Sequence, residues 1–106
     1  MFKDMFGLMN KLNEAKSKME ETKNRLSEII HIGESENGKV MVECTGNRKI
    51  TSIKLDDLIL AESNKEKLQL LIIEAANSAL QKAEKNWESE MKGAAKDMLP
   101  NIPGLF

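Results

Sequence analysis

The chain changes its apolar period twice. From about Lys3 to Ile29, apolar residues recur roughly every 3.5 positions. Met5, Leu12, Met19 and Leu26 fall on one seam position, and Leu8, Ala15, Thr22 and Ile29 on the other. A stripe of that period lies along one side of an α-helix and has to pack against another helix. With no proline and only Gly7 in the segment, one helix over residues 3–29 is predicted. At the α-helical rise it is about 40 Å long. No short sheet covers such a length, so its far end must project or pair with another helix.

Between Ile30 and Asp56 the period is two. Ile30 and Ile32 alternate with His31 ahead of Gly33, and Glu34-Ser35-Glu36-Asn37-Gly38 follows. Asn-Gly marks a hairpin turn, because both residues tolerate positive φ. Val40, Val42 and Cys44 share one strand face, with Met41, Glu43 and Thr45 on the other. After a second turn at Gly46-Asn47-Arg48, Thr51, Ile53 and Leu55 alternate with Ile50, Ser52 and Lys54. Three short antiparallel strands in a meander, over about 30–56, are the simplest reading. Such a sheet needs a cover on its apolar face.

The helical period returns over 63–98. Ser63-Asn64-Lys65-Glu66 fits a capping box that starts the helix at Ser63. Leu68, Leu71, Ile72, Ala75, Ala76 and Ala79 form a broad apolar face suited to covering the sheet. The stripe then narrows through Ala83, Trp87, Met91, Ala94 and Met98, where the alanines let a partner helix approach closely. Pro100 and Pro103 end the pattern. The expected organisation is one α+β domain over 1–99, helix–three strands–helix, with a proline-containing tail at 100–106 that is flexible or docks.

Composition limits what this architecture can do. At 106 residues burial is restricted, and an oligomer interface would add stability. Sixteen Lys+Arg against seventeen Asp+Glu give a formal charge of −1, so attraction to a polyanion has to come from local sorting of charge. The charge is sorted. Lys11, Lys18 and Arg25 run along one flank of the first seam and Lys16 and Lys23 along the other, while Glu14, Glu20, Glu21 and Glu28 sit further round. The second helix carries a comparable ridge of Lys82, Lys85, Lys92 and Lys96, with Ser89 among them and Glu84 and Glu88 on another side. Two such ridges on projecting helices could neutralise phosphates of double-stranded DNA without reading bases. Glu14 with Lys18, Glu21 with Arg25 and Glu88 with Lys92 are also i,i+4 pairs in the favourable order. On composition alone, solvated helix faces are the more ordinary reading of these rows.

Catalysis finds little support. His31 is the only histidine and Cys44 the only cysteine, so neither ligand spacing for a metal nor an intrachain disulfide is available. Cys44 reads as a buried structural thiol and Asp56-Asp57 as loop-forming groups. Gly33, Gly38 and Gly46 lie at turns and form no phosphate-cradling loop. No catalytic residue, metal, cofactor or small-molecule substrate is expected. Four aromatic residues, Phe2, Phe6, Trp87 and Phe106, are too few for a single-strand stacking surface. No secretory leader and no run of about 20 apolar residues is present, so a cytoplasmic protein without a membrane partner is expected. A different class stays open: a protein-binding or chaperone-like clasp, in which apolar residues such as Met5, Met9 and Met91 carry the contacts.

The sheet residues carry a resemblance. Gly33-Glu34-Ser35 and Gly38-Lys39-Val40-Met41-Val42, then Gly46, then Ile53-Lys54-Leu55-Asp56, resemble the core signature of the YbaB/EbfC family of bacterial nucleoid-associated proteins. It extends to the Met/Lys/Glu-rich first helix, the Leu/Ala-rich second helix and the closing Met-Leu-Pro and Pro-Gly-Leu-Phe. The resemblance implies a subunit that forms a homodimer through its sheet region, shaped like tweezers with the long helices as jaws. It implies nucleoid-associated binding of double-stranded DNA with little sequence preference, with a part in nucleoid organisation and gene regulation. Gly33, Gly38, Val40, Val42, Gly46, Ile53, Leu55 and Asp56 match its structural signature and imply fold and dimerisation. The start lacks the family's glycine-rich N-terminus, and Leu55 replaces the usual isoleucine before Asp56. The candidate phosphate contacts, Lys11, Lys18, Arg25, Lys82, Lys85, Lys92 and Lys96, come from charge sorting and not from the resemblance.

Overall fold

The computed structural model describes residues 2–98, and the tail expected at 100–106 lies outside the described residues. Six elements follow one another: α1 (Phe2–Ser27), β1 (Ile30–Ser35), β2 (Val40–Thr45), β3 (Ile50–Leu55), α2 (Asp57–Glu62) and α3 (Lys65–Met98). The strands form an antiparallel meander in the order β1-β2-β3. The chain is therefore the α+β, helix–three strands–helix fold that its periods predict.

α1 ends two residues before the expected Ile29. Its last turn tightens, with Glu28 N–H donating to Arg25 O and Ile29 N–H to Leu26 O, both at 3.2 Å. Ile29 thereby leaves the helix and the seam. The β1–β2 turn takes three consecutive left-handed residues, Glu36, Asn37 and Gly38, with φ of 49°, 55° and 84°, as the Asn-Gly pair leads one to expect.

Alternation places His31, Gly33 and Ser35 on the same face as Cys44, Val42 and Val40, their register partners. This is the face that α3 covers. On β1 the helix therefore packs over Gly33 and Ser35, while Ile30 and Ile32 lie on the opposite face, 49% and 38% exposed. The reason is proximity. A Cβ on Gly33 would run into the Ala75 carbonyl and the Ala79 backbone, and the Ser35 hydroxyl donates to Leu71 O at 2.7 Å. Close approach seals a core of Val40, Val42, Cys44, Ile59, Leu71, Ala75, Ala79 and Ala83, flanked by Leu55, Leu68, Ile72, Ala76 and Leu80. Burial pushes the Cys44 thiol up from its ordinary range, which keeps it protonated and a poor nucleophile.

Two features depart from the expected pattern. A bulge interrupts β3: Glu43 pairs with Ser52, but Cys44 pairs with Ile50, leaving Thr51 as the extra residue. Ile50 is thereby shifted into register with the core-facing Cys44 and away from the face of Ser52 and Lys54. Between β3 and α3 the chain inserts α2. Asp56, expected in a loop, is its N-cap and accepts from Leu58 N–H at 2.9 Å, and Ile59 plugs the core at 2% exposure. The capping box expected at Ser63 does not form: the helix starts one residue later, and its N3 position holds Lys67, which has no acceptor to reach back with. The Ser63 backbone N–H closes α2 by donating to Ile59 O at 3.1 Å, and Asn64 caps α3 by accepting from Lys67 N–H at 2.8 Å. The Ser63 hydroxyl is buried without a partner.

α3 crosses the sheet antiparallel to β1, from Leu71 over Ser35 to Lys82 over Ile32. It leaves the sheet at the end where α1 enters. There the fully buried Leu26 lies so close to the β2–β3 turn that a Cβ on Gly46 would overlap its carbonyl. The two helices then run antiparallel as one arm, and the molecule measures 72 × 24 × 17 Å. Burial fades outward from Leu26 through Thr22, Met19 and Ala15 on α1, and from Ala83 through Trp87, Met91 and Ala94 on α3.

Candidate nucleic-acid interface

The seven basic residues singled out above occupy four different places. Arg25 is tied across the arm, its guanidinium 3.0 Å from the Glu90 carboxylate. Both groups are well exposed, so the pair contributes little energy, but it marks which turns of the two helices lie side by side. Lys11 and Lys18 lie further out on α1, exposed beside the seam. The pairs Glu14–Lys18, Glu21–Arg25 and Glu88–Lys92 are not closed. Among the described residues, the ion pairs are Arg25–Glu90 and Lys54–Glu43.

The α3 row is divided. The Lys82 ammonium donates to the outward carbonyl of Ile32 at 2.7 Å, so this residue guards the free edge of β1. Lys85, Lys92 and Lys96 are exposed. From Ala83 outward, the half-buried or buried residues of α3 are Ala83, Asn86, Trp87, Glu90, Met91, Ala94 and Ala95, and Glu90 among them reaches Arg25 of α1. At about 100° of turn per residue, the three lysines fall on the outer side of α3, away from α1. Within one subunit the two basic rows thus face different directions and do not line a shared groove.

The signature residues have structural tasks. Gly33 and Gly46 permit the two close backbone approaches, Gly38 takes its positive φ, Val40 and Val42 fill the core, Leu55 packs against its rim, and Asp56 caps α2. Ile53 is the exception. It is the register partner of Val42 but remains 49% exposed, because α3 lies over β1 and β2 and leaves β3 uncovered. Ile50 is equally bare, as are Leu58, Leu60, Leu70 and Ile73. Helix and strand periods do not reveal these exposed apolar residues. Their one signal in the sequence is that Leu70 and Ile73 fall off the sheet-covering stripe of α3. Among the described residues, no side chain bonds a β3 carbonyl as Lys82 does on β1.

Among the described residues, no group of three or more His, Cys, Asp or Glu side chains is placed to hold a metal ion. No helix there is long and apolar enough to cross a membrane.

Relatives of the chain share this outline. A nucleoid-associated protein of Flavobacterium johnsoniae is 35% identical over 102 residues, 96% of this chain and 94% of its own. A nucleoid-associated protein of Campylobacter fetus is 35% identical over 107 residues, 99% of this chain and 98% of its own. Among solved structures, an uncharacterized protein from Helicobacter pylori superimposes with a TM-score of 0.61 at 26% identity, covering 83% of this chain and 98% of its own. The model of the YbaB/EbfC DNA-binding family matches residues 1–98, and the chain belongs to that family.

Proposed function

We propose that the chain is a nucleoid-associated protein that binds double-stranded DNA as a homodimer, through phosphates and with little sequence preference. It acts in the cytoplasm at the chromosome, as a binding protein and not an enzyme. The observation that carries this reading is the α1 basic row. In a member of a DNA-binding family, Lys11 and Lys18 stand exposed on a projecting arm with no ion pair among the described residues. Lysines so placed can exchange water and counterions for phosphates at little desolvation cost. With a formal charge of −1, binding depends on these rows and on pairing two subunits, since one arm offers too few contacts. The uncovered β3 edge with Ile50 and Ile53 supports self-association on that side, while Lys82 disfavours the β1 edge.

The test is a salt titration of binding to a random-sequence duplex. A log–log slope near 0.9 per phosphate contact counts the ion pairs. Lys11→Glu with Lys18→Glu is expected to abolish DNA retention while leaving the oligomeric state unchanged. Undiminished binding by that variant removes α1 from the interface, and no binding by the parent at low salt overturns the DNA reading.

A further inference from the structure

Phosphate contacts leave one feature of the arm unused. The seam of α1 is buried near the sheet and bare further out: Met5, Leu8, Met9 and Leu12 are 61%, 59%, 57% and 59% exposed. The Arg25–Glu90 contact gives the register of the two helices here. Eight residues on from Glu90, Met98 stands level with Ser17, about eight residues back from Arg25. The stretch from Met5 to Leu12 therefore lies beyond the described residues of α3, with its apolar side chains exposed. A stripe of this kind gains nothing from a phosphate backbone, whereas it is the surface on which an amphipathic helix lays its own apolar face.

The flanking charges select the occupant. Around the proposed anchors, from Leu8 to Lys18, the positions beside the seam hold Met9, Lys11, Lys16 and Lys18, with no acidic residue among them. Pairing α1 with a second α1 through this seam would set these rows against each other, which disfavours a second copy. A helix with carboxylates beside its apolar stripe would meet them as Glu90 meets Arg25. We infer that the distal half of α1 is a docking site for an acidic amphipathic helix of another protein, with Leu8 and Leu12 as anchors and Lys11, Lys16 and Lys18 as charge partners. The inference goes beyond DNA binding. Because it draws on Lys11 and Lys18, an acidic helix and a duplex would exclude one another on this arm.

The experiment is a titration of the full chain, without DNA, with labelled three-heptad peptides carrying Leu at both seam positions and either Glu or Lys at the flanks. Fluorescence anisotropy is expected to show saturable binding of the Glu peptide and at least about tenfold weaker binding of the Lys peptide. Leu8→Ser with Leu12→Ser changes only exposed side chains, and circular dichroism of the variant checks that α1 remains helical. The variant is expected to lose about tenfold or more of Glu-peptide affinity and to keep DNA binding. Equal binding of both peptides, no binding, or binding unchanged in the double variant each overturns the proposal. So does a fall in oligomer mass for Leu8→Ser with Leu12→Ser, which would give the seam to a second copy, or a loss of DNA affinity without peptide binding by the parent. Because the titration contains no DNA, failure of the DNA reading leaves its outcome intact.

Discussion

At Gly33 the packing of the whole head depends on one missing methyl group. The α3 backbone at Ala75 and Ala79 occupies the space a Cβ would need, and rigid backbone cannot move aside as the end of a flexible side chain can. Gly33→Ala should therefore destabilise by about 3 kcal/mol, the upper range for overpacking, lowering the urea midpoint without a change in m. An unchanged midpoint would mean that α3 does not lie this close to β1. The same contact explains why a small polar residue, Ser35, serves the core better than an isoleucine: its hydroxyl reaches Leu71 O. Lys82 shows a residue with a structural task that charge counting assigned to DNA. Its bond to Ile32 O places it against the sheet, so it is the weakest candidate of the seven for phosphate contact.

At the scale of elements, the junction between β3 and α3 is where the helix start and the residue pattern differ by one position. Ser63 and Asn64 are both good N-caps, and sequence offers no reason to choose the second. The choice follows from α2, whose last turn takes the Ser63 N–H and leaves its hydroxyl buried and unpaired. Asn64→Ala should cost about 1 kcal/mol, whereas Ser63→Ala removes an unpaired hydroxyl and should leave stability unchanged or slightly raised. Chemical denaturation of the two variants side by side distinguishes this arrangement from a capping box at Ser63, which would reverse the order. α2 itself was hidden because six residues, Asp57–Glu62, are too few to display a helical period.

At the scale of the molecule, a sheet covered by one helix leaves a strand uncovered. α3 lies over β1 and β2, and the exposed Ile50 and Ile53 of β3 form the surface on which the proposed dimer rests. Ile53→Lys should convert the dimer to monomers in sedimentation velocity, since it places a charge on an apolar edge. DNA affinity should then fall steeply, because each particle loses half its phosphate contacts. A variant that remains dimeric would move the interface away from β3. The arm poses the complementary problem. Its inner half is closed by α3 and its outer half carries both an apolar stripe and a basic row, so two kinds of partner can be separated by substituting one or the other.

The sequence by itself determined the elements with clear periods: the inner α1 seam from Ala15 to Leu26, the valine-rich β2, and the stripe on α3 from Leu68 to Ala79 pack as their spacing requires, while the outer seam from Met5 to Leu12 stays exposed. The Asn-Gly turn was equally legible, because positive φ is a local property of those residues. Only the tertiary structure decided which side of β1 meets the helix, since Ile30 and Ile32 outrank Gly33 and Ser35 in hydrophobicity but not in the closeness they allow. It alone decided that Arg25 turns to Glu90 on another helix instead of Glu21 on its own, and that the two lysine rows face apart. Periodicity fixes the angle of a side chain about its own axis. How two axes are set against one another depends on packing between residues far apart in the chain, and no local pattern records it.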